Sequence, residues 1–143
     1  MELLTAGYEG RTLAQFVRLM SSHEVDRVVD VRARPQSHKP GFSARGLFDA
    51  LLRAGISYDS DRALGSPDDV RARWRSGDVA GAKARFRRLV RGERGTRLEL
   101  LVAICRFERV CILCFEAAPE DCHRSVIADE AARIEPRLSI VHL

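Results

Sequence analysis

Lysine is scarce in this chain: two residues, Lys39 and Lys83, stand against 22 arginines. Aromatic residues are few at 6 %, with one tryptophan and two tyrosines. No apolar run approaches the roughly 20 residues that a membrane helix needs. The first residues, Met1-Glu-Leu-Leu-Thr5, lack a basic segment followed by a long apolar one, so no secretion signal is expected and a cytoplasmic location follows. No repeat, low-complexity tract or linker breaks the sequence. The glycines form no G-x-G-x-x-G, since Gly7 and Gly10 stand alone.

Cysteine is also sparse and unevenly placed. Cys105, Cys111, Cys114 and Cys122 all fall in the last two-fifths of the chain, which is not the spread of a disulfide framework. Cys111 and Cys114 form a C-x-x-C inside an extended run, so their side chains point to opposite faces, unlike a thioredoxin-type pair. Cys105 and Cys111 read as small buried apolar residues. Cys114, Cys122 and His123 offer three soft metal ligands, but the seven-residue gap between the cysteines fits no common zinc spacing, so no metal or other cofactor is expected.

What the chain does have is a core's worth of apolar residues, 45 % of 143, and a charge concentrated in one place. Ten basic residues between positions 70 and 97, from Arg71 to Arg97, face only Asp78 and Glu93. That segment carries net +8 and leaves the rest at −4. A nucleotide or nucleic acid is the partner such a stretch suggests, although charge on a helix often serves only as a solvated face.

Hydrophobic patterning alternates between the two regular periods. Glu2 to Ala6, Val28 to Val31, Ile56 to Tyr58, Val110 to Phe115 and Leu138 to His142 read as strands. Thr12 to Gln15 is a capping box that opens a helix with Leu13, Phe16, Val17 and Met20 on one face. A second helix, about Ser43 to Ala54, is expected to bury Leu47, Phe48, Leu51 and Leu52 and to stop at Gly55. Ser66, Pro67 and Asp69 stand in the order of a cap, a first-turn proline and an acidic third position. Thr96 to Glu99 reads as another capping box, opening a helix through Phe107. The expectation is one α/β domain spanning 1–143: an open, mostly parallel sheet of about five strands flanked by helices, with Rossmann-like or flavodoxin-like layering and a basic helical insertion at about 67–95.

Parallel strands put every strand-to-helix loop at one edge, and the unusual polar residues lie in those loops. Tyr8 and Arg11 occupy a glycine-flanked turn suited to an anion. Asp30 and Arg32 flank Val31 and so share one side of the strand, either as an active-site pair or as a structural ion pair. Arg34, Ser37, His38 and Lys39 lie in a loop stiffened by Pro35 and Pro40. Glu116 follows the fourth strand and reads as a general base or a ligand-binding carboxylate. If Asp121 caps the next helix, Cys122, His123 and Arg124 fill its first turn, where the helix dipole favours a thiolate; Cys122 would then be a nucleophile with His123 as proton carrier. Arg124 joins Arg32 as a substrate contact.

Several of these residues together resemble a known family. Gly7-Tyr-Glu-Gly-Arg-Thr-Leu13, Asp30-Val-Arg32 with Pro35 and Ser37, Leu64-Gly65, and Cys114-x-Glu116 followed by Cys122-His-Arg124 are similar to motifs of the family catalogued as domain of unknown function 488. The resemblance implies a compact α/β domain with these motifs gathered at one site, and implies no reaction. Members usually carry two glycines after the leucine near position 64; here the second is Ser66.

Three functions fit the residues. The leading expectation is a hydrolase or group transferase acting on a phosphate-bearing or nucleobase-containing substrate, with Asp30, Glu116, Cys122 and His123 as catalytic groups and Tyr8, Arg11, Arg32, Pro35, Ser37 and Arg124 binding substrate. The second is a non-catalytic module that binds an anion or nucleic acid. The third is a thiol redox sensor pairing Cys114 with Cys122.

Overall fold

A computed structural model describes residues 1–143. The elements are β1 (Glu2–Gly7), α1 (Leu13–Ser22), β2 (Arg27–Asp30), α2 (Ala44–Arg53), β3 (Ser57–Ser60), α3 (Asp68–Arg75), α4 (Val79–Arg91), α5 (Gly95–Ile104), β4 (Val110–Cys114), α6 (Arg124–Ile134) and β5 (Ser139–His142). Short 3-10 turns occupy Arg62–Leu64 and Pro119–Asp121. All five strands are parallel, in the order β3-β2-β4-β1-β5. The result is a single α/β domain with six helices around one sheet, as the alternation of periods implies.

Strand periodicity divides the core. Leu4, Cys111 and Leu113 face one side of the sheet and pack with Phe16 and Met20 of α1 and Leu47 and Leu51 of α2. Leu3, Val29 and Ile112 face the other side and pack with Phe86 of α4, Leu98 of α5 and Ile127 of α6. Each fully buried side chain of this size contributes about 1.5–3 kcal/mol of transfer free energy. The central strand β4 is buried along its whole length, between β1 and β2.

That order creates a topological switch. The chain leaves β1 and β2 toward the α1–α2 face and leaves β4 toward α6 on the opposite face. Loops therefore part beyond the carboxyl end of β4, which opens a crevice there.

Local signals were legible to different degrees. The Thr12 capping box forms fully: Gln15 N–H donates to Thr12 Oγ1 at 3.1 Å and Thr12 N–H to Gln15 Oε1 at 2.8 Å. Helix α5 starts at Gly95 rather than at the Thr96 box; Arg94 just before it donates its guanidinium to the Gly65 carbonyl, 2.6 Å away. The same helix ends at Ile104 and leaves Phe107 outside it, almost wholly exposed. In α2, Leu47 and Leu51 are buried, but Phe48 and Leu52 lie on the outer flank in solvent. Ser66 does not cap α3; Pro67 takes that place and Ser66 turns inward.

Candidate functional site

The crevice at the end of β2 and β4 is a cleft of about 210 Å³. One wall is the end of β4 and the residues after it, Cys114, Phe115, Glu116 and His123. The other is made by Arg32, Ala33, Arg34 and Gln36 after β2, with Ser66 and Arg71 near α3. Tyr8, from the loop after β1, closes the back.

The β2 end is built around a buried charge pair. Arg32 donates from Nε to Asp30 Oδ1 at 2.8 Å and from Nη2 to Asp30 Oδ2 at 2.6 Å. Tyr58 donates its hydroxyl to the same carboxylate at 2.7 Å, and both burial and Asp30 push the Tyr58 pKa upward. Arg32 Nη1 donates to the Phe42 carbonyl at 2.7 Å and to the Tyr8 hydroxyl at 3.2 Å. The guanidinium is therefore mostly committed to protein partners, and Asp30 lies beneath the cleft with no exposed surface. Tyr8 is stacked on Phe42, with ring centroids 4.4 Å apart.

The β4 end gathers sulfur, nitrogen and oxygen. Cys114 Sγ donates to Glu116 Oε2 at 3.2 Å. His123 Nδ1 lies 3.6 Å from Cys122 Sγ and 3.8 Å from Cys114 Sγ. His123 Nε2 lies 2.8 Å from the Val31 carbonyl. A carbonyl only accepts, so this bond puts a proton on Nε2 and leaves Nδ1 facing the two sulfurs. The imidazole is edge-on to the Phe86 ring, 5.2 Å between centroids, so the basic helix α4 supports the site through its apolar face.

These contacts set the local acidities. Burial opposes ionisation of Cys122, but the bond from Cys114 and the His123 charge hold its pKa well below the thiol range. Cys114 is raised well above that range by its bond to Cys122 and by burial. Burial alone would lower the His123 pKa; the neighbouring Cys122 thiolate reverses this and raises it. Glu116 is raised by burial and by the Cys122 charge.

The Cys-His-Arg segment is not the first turn of a helix. The 3-10 turn Pro119–Asp121 intervenes, Cys122 is extended at φ −137° and ψ 147°, His123 is the cap, and α6 begins at Arg124. Asp121 therefore caps nothing here, and the acidity of Cys122 comes from Cys114 and His123, with the Arg124 backbone N–H at the start of α6 adding to it. Arg124 is wholly buried and faces away from the cleft. It donates to the carbonyls of Glu116 and Ala117, the latter at 2.9 Å, and so clamps the β4 loop.

Tyr8, Arg32, Glu116 and His123 are thus brought together, with Asp30 and Cys122 directly behind them. Arg11 donates to the Gly7 carbonyl at 2.7 Å and does not line the cleft. Ser37 bonds within its own loop, to Lys39 and Ser43, and Pro35 borders a separate groove. Sequence reasoning missed Tyr58, Ser66 and the Val31 carbonyl as parts of the site, and placed Arg71 only within the basic stretch. Ser66 carried a signal, its place where the resemblance leads one to expect glycine; Tyr58 and the Val31 carbonyl had none.

Close backbone approach explains two glycines. A Cβ on Gly7 would lie 1.8 Å from the Glu116 carbonyl oxygen, and one on Gly65 would lie 2.4 Å from the Ala33 Cα. Both contacts bring site loops together at distances that only glycine permits.

The family described as domain of unknown function DUF488 matches residues 12–131. The chain belongs to that family. Its Asp30-Val-Arg32, Cys114-x-Glu116 and Cys122-His-Arg124 segments are the ones that meet at the cleft, though Arg124 serves from behind it. Searches of curated proteins and of solved structures give no match.

The basic stretch is largely occupied. Asp69 pairs with Arg85, Asp78 with Arg73, and Asp61 with Arg97. Glu130 pairs with Arg87 and Arg91. No helix is long and apolar enough to cross a membrane.

Proposed function

We propose that this chain is a hydrolase or group transferase acting on a small phosphate-bearing or nucleobase-containing molecule. The observation that carries the reading is the meeting, in one cleft, of the Glu116 carboxylate and His123 imidazole with the Arg34 and Arg71 guanidiniums. Arg34 and Arg71 share one weak partner, the exposed Asp68, at 3.5 and 3.7 Å. Exposed pairs of that length hold little free energy, so both cations are available to an incoming anion. Phe115, partly exposed on the opposite wall, offers a ring face to a base.

Glu116 then moves the proton, Arg34 and Arg71 hold the anionic group, and the Asp30–Arg32–Tyr8 network fixes the floor. A cleft of about 210 Å³ suits a nucleotide fragment or a sugar phosphate better than a polymer. Seven of the ten basic residues of the 71–97 stretch contact a carboxylate, a carbonyl or, for Lys83, the Trp74 ring; Arg71 is only weakly paired, and Arg75 and Arg88 are not. That favours a small ligand over a nucleic-acid backbone.

The test is turnover of a panel of nucleosides, nucleotides and sugar phosphates, followed by mass spectrometry. Glu116→Gln is expected to lower turnover by about 100-fold or more while leaving binding in place. A ligand that binds through Arg71 but is never converted would overturn catalysis and favour the binding-module reading.

A further inference from the structure

We infer that Cys114 Sγ, Cys122 Sγ and His123 Nδ1 form a binding site for a zinc ion whose fourth position opens toward Glu116 and the cleft. The three atoms all lie within 4.8 Å of one another and come from three buried residues. A tetrahedral ion with Zn–S of about 2.3 Å and Zn–N of about 2.0–2.1 Å holds its S and N ligands about 3.5–3.6 Å apart. His123 Nδ1 stands 3.6 Å from one sulfur and 3.8 Å from the other. The two sulfur–nitrogen sides of the triangle already match that geometry, and the third lies within 4.8 Å.

The surroundings are those of a ligand set. The bond from His123 Nε2 to the Val31 carbonyl, 2.8 Å, fixes the ring and leaves Nδ1 as the donor atom facing the sulfurs. Arg124 and the Gly7 contact hold the β4 loop so that Cys114 and Cys122 face each other. Phe86 excludes water behind the imidazole. Two thiolates balance the charge of a divalent ion, which removes most of the cost of burying it. Two sulfurs and one imidazole nitrogen select zinc over magnesium or calcium, which require oxygen.

Spacing conceals this site. The seven residues between Cys114 and Cys122 begin where β4 ends and include a 3-10 turn, and they fold back on themselves instead of forming a knuckle. Cys114 and His123 also line the cleft, and the Glu116 carboxylate is 3.2 Å from Cys114 Sγ. A water in the fourth position would therefore lie beside a carboxylate able to take its proton, as in zinc sites that keep one position open. The assignment stands on these distances and does not depend on the substrate proposed above.

The experiment uses the full chain, reduced and stripped by a chelator, titrated with zinc against a chromophoric competitor and separately with cobalt. The expected result is one zinc per chain and, with cobalt, the thiolate-to-metal band and strong visible absorption of a tetrahedral site. Cys122→Ser and His123→Ala are expected to weaken zinc binding by more than about 100-fold, whereas Cys105→Ser and Cys111→Ser leave it unchanged. A reduced, folded wild-type chain that takes up no zinc, or whose cobalt form lacks the thiolate band, overturns the site. So does a Cys114–Cys122 disulfide that gives no metal uptake after reduction. Because the cobalt spectrum is read on the wild type, misfolding of a variant does not shelter the idea. Zinc uptake without turnover would sink the catalytic proposal alone.

Discussion

Asp30 and Arg32, two residues apart at the end of β2, close a two-point ion pair whose carboxylate has no exposed surface. Removing one partner strands the other charge. Arg32→Met is expected to lower stability by about 3–5 kcal/mol, read by denaturant unfolding. The double variant Asp30→Asn, Arg32→Met should cost less than the sum of the two single changes. Strict additivity would show that the pair does not act as a unit.

Gly7 and Glu116 meet backbone to backbone across β1 and β4. Gly7→Ala forces the Glu116 carbonyl away and is expected to cost about 1–3 kcal/mol. Turnover should fall further than the stability loss explains, because Glu116 moves with its loop. An alanine variant with wild-type melting temperature and rate would refute the contact.

Ser66 is buried with an unpartnered hydroxyl at the edge of the cleft. An unmet donor costs free energy in the empty protein and returns it when a ligand arrives. Ser66→Ala should therefore leave stability unchanged or slightly raised, while weakening ligand binding by about 0.5–1.5 kcal/mol, roughly 2- to 12-fold. Calorimetric melting and a binding isotherm read the two effects separately. A clear drop in melting temperature would place the hydroxyl in the fold instead.

Glu130 is buried on α6 among Arg87, Arg91 and Arg133. Burial would raise its pKa, but the bonds from Arg91 and Arg133 outweigh that and lower it. A lowered folded value means stability that is complete above the unfolded glutamate pKa of about 4.3 and drains away as pH falls through the folded value. Glu130→Gln is expected to cost about 1–2 kcal/mol at pH 7, reduced by the partial exposure of the arginines. The gap between variant and wild type should narrow below about pH 4. A gap that stays constant down to pH 3 would contradict the assignment.

The parallel sheet was readable because strand and helix periods alternate cleanly, and the convergence of its loops follows from parallelism alone. Asp30, Arg32, Glu116 and His123 were found on that logic. What the order of residues could not convey was side-chain direction within irregular backbone. Arg124 follows His123 directly, yet one reaches the cleft and the other turns behind it, because the helix begins between them. Tyr58 and the Val31 carbonyl act through contacts made by residues distant in sequence or by main chain, which no local pattern encodes. Nor could residue order show how the basic stretch is paired: its acidic partners Asp61 and Glu130 lie outside it in sequence and beside it in space.

Arg124 has a consequence for how anything gets in. With its guanidinium locked onto two main-chain carbonyls, the segment bearing Cys114 and Glu116 behaves as a fixed jaw. On the opposite jaw the backbone is also packed, Gly65 against Ala33, but the Arg34 and Arg71 guanidiniums are held only by the solvated Asp68. Accommodation of differently sized guests therefore falls to these two long side chains, while the reactive atoms stay where they are.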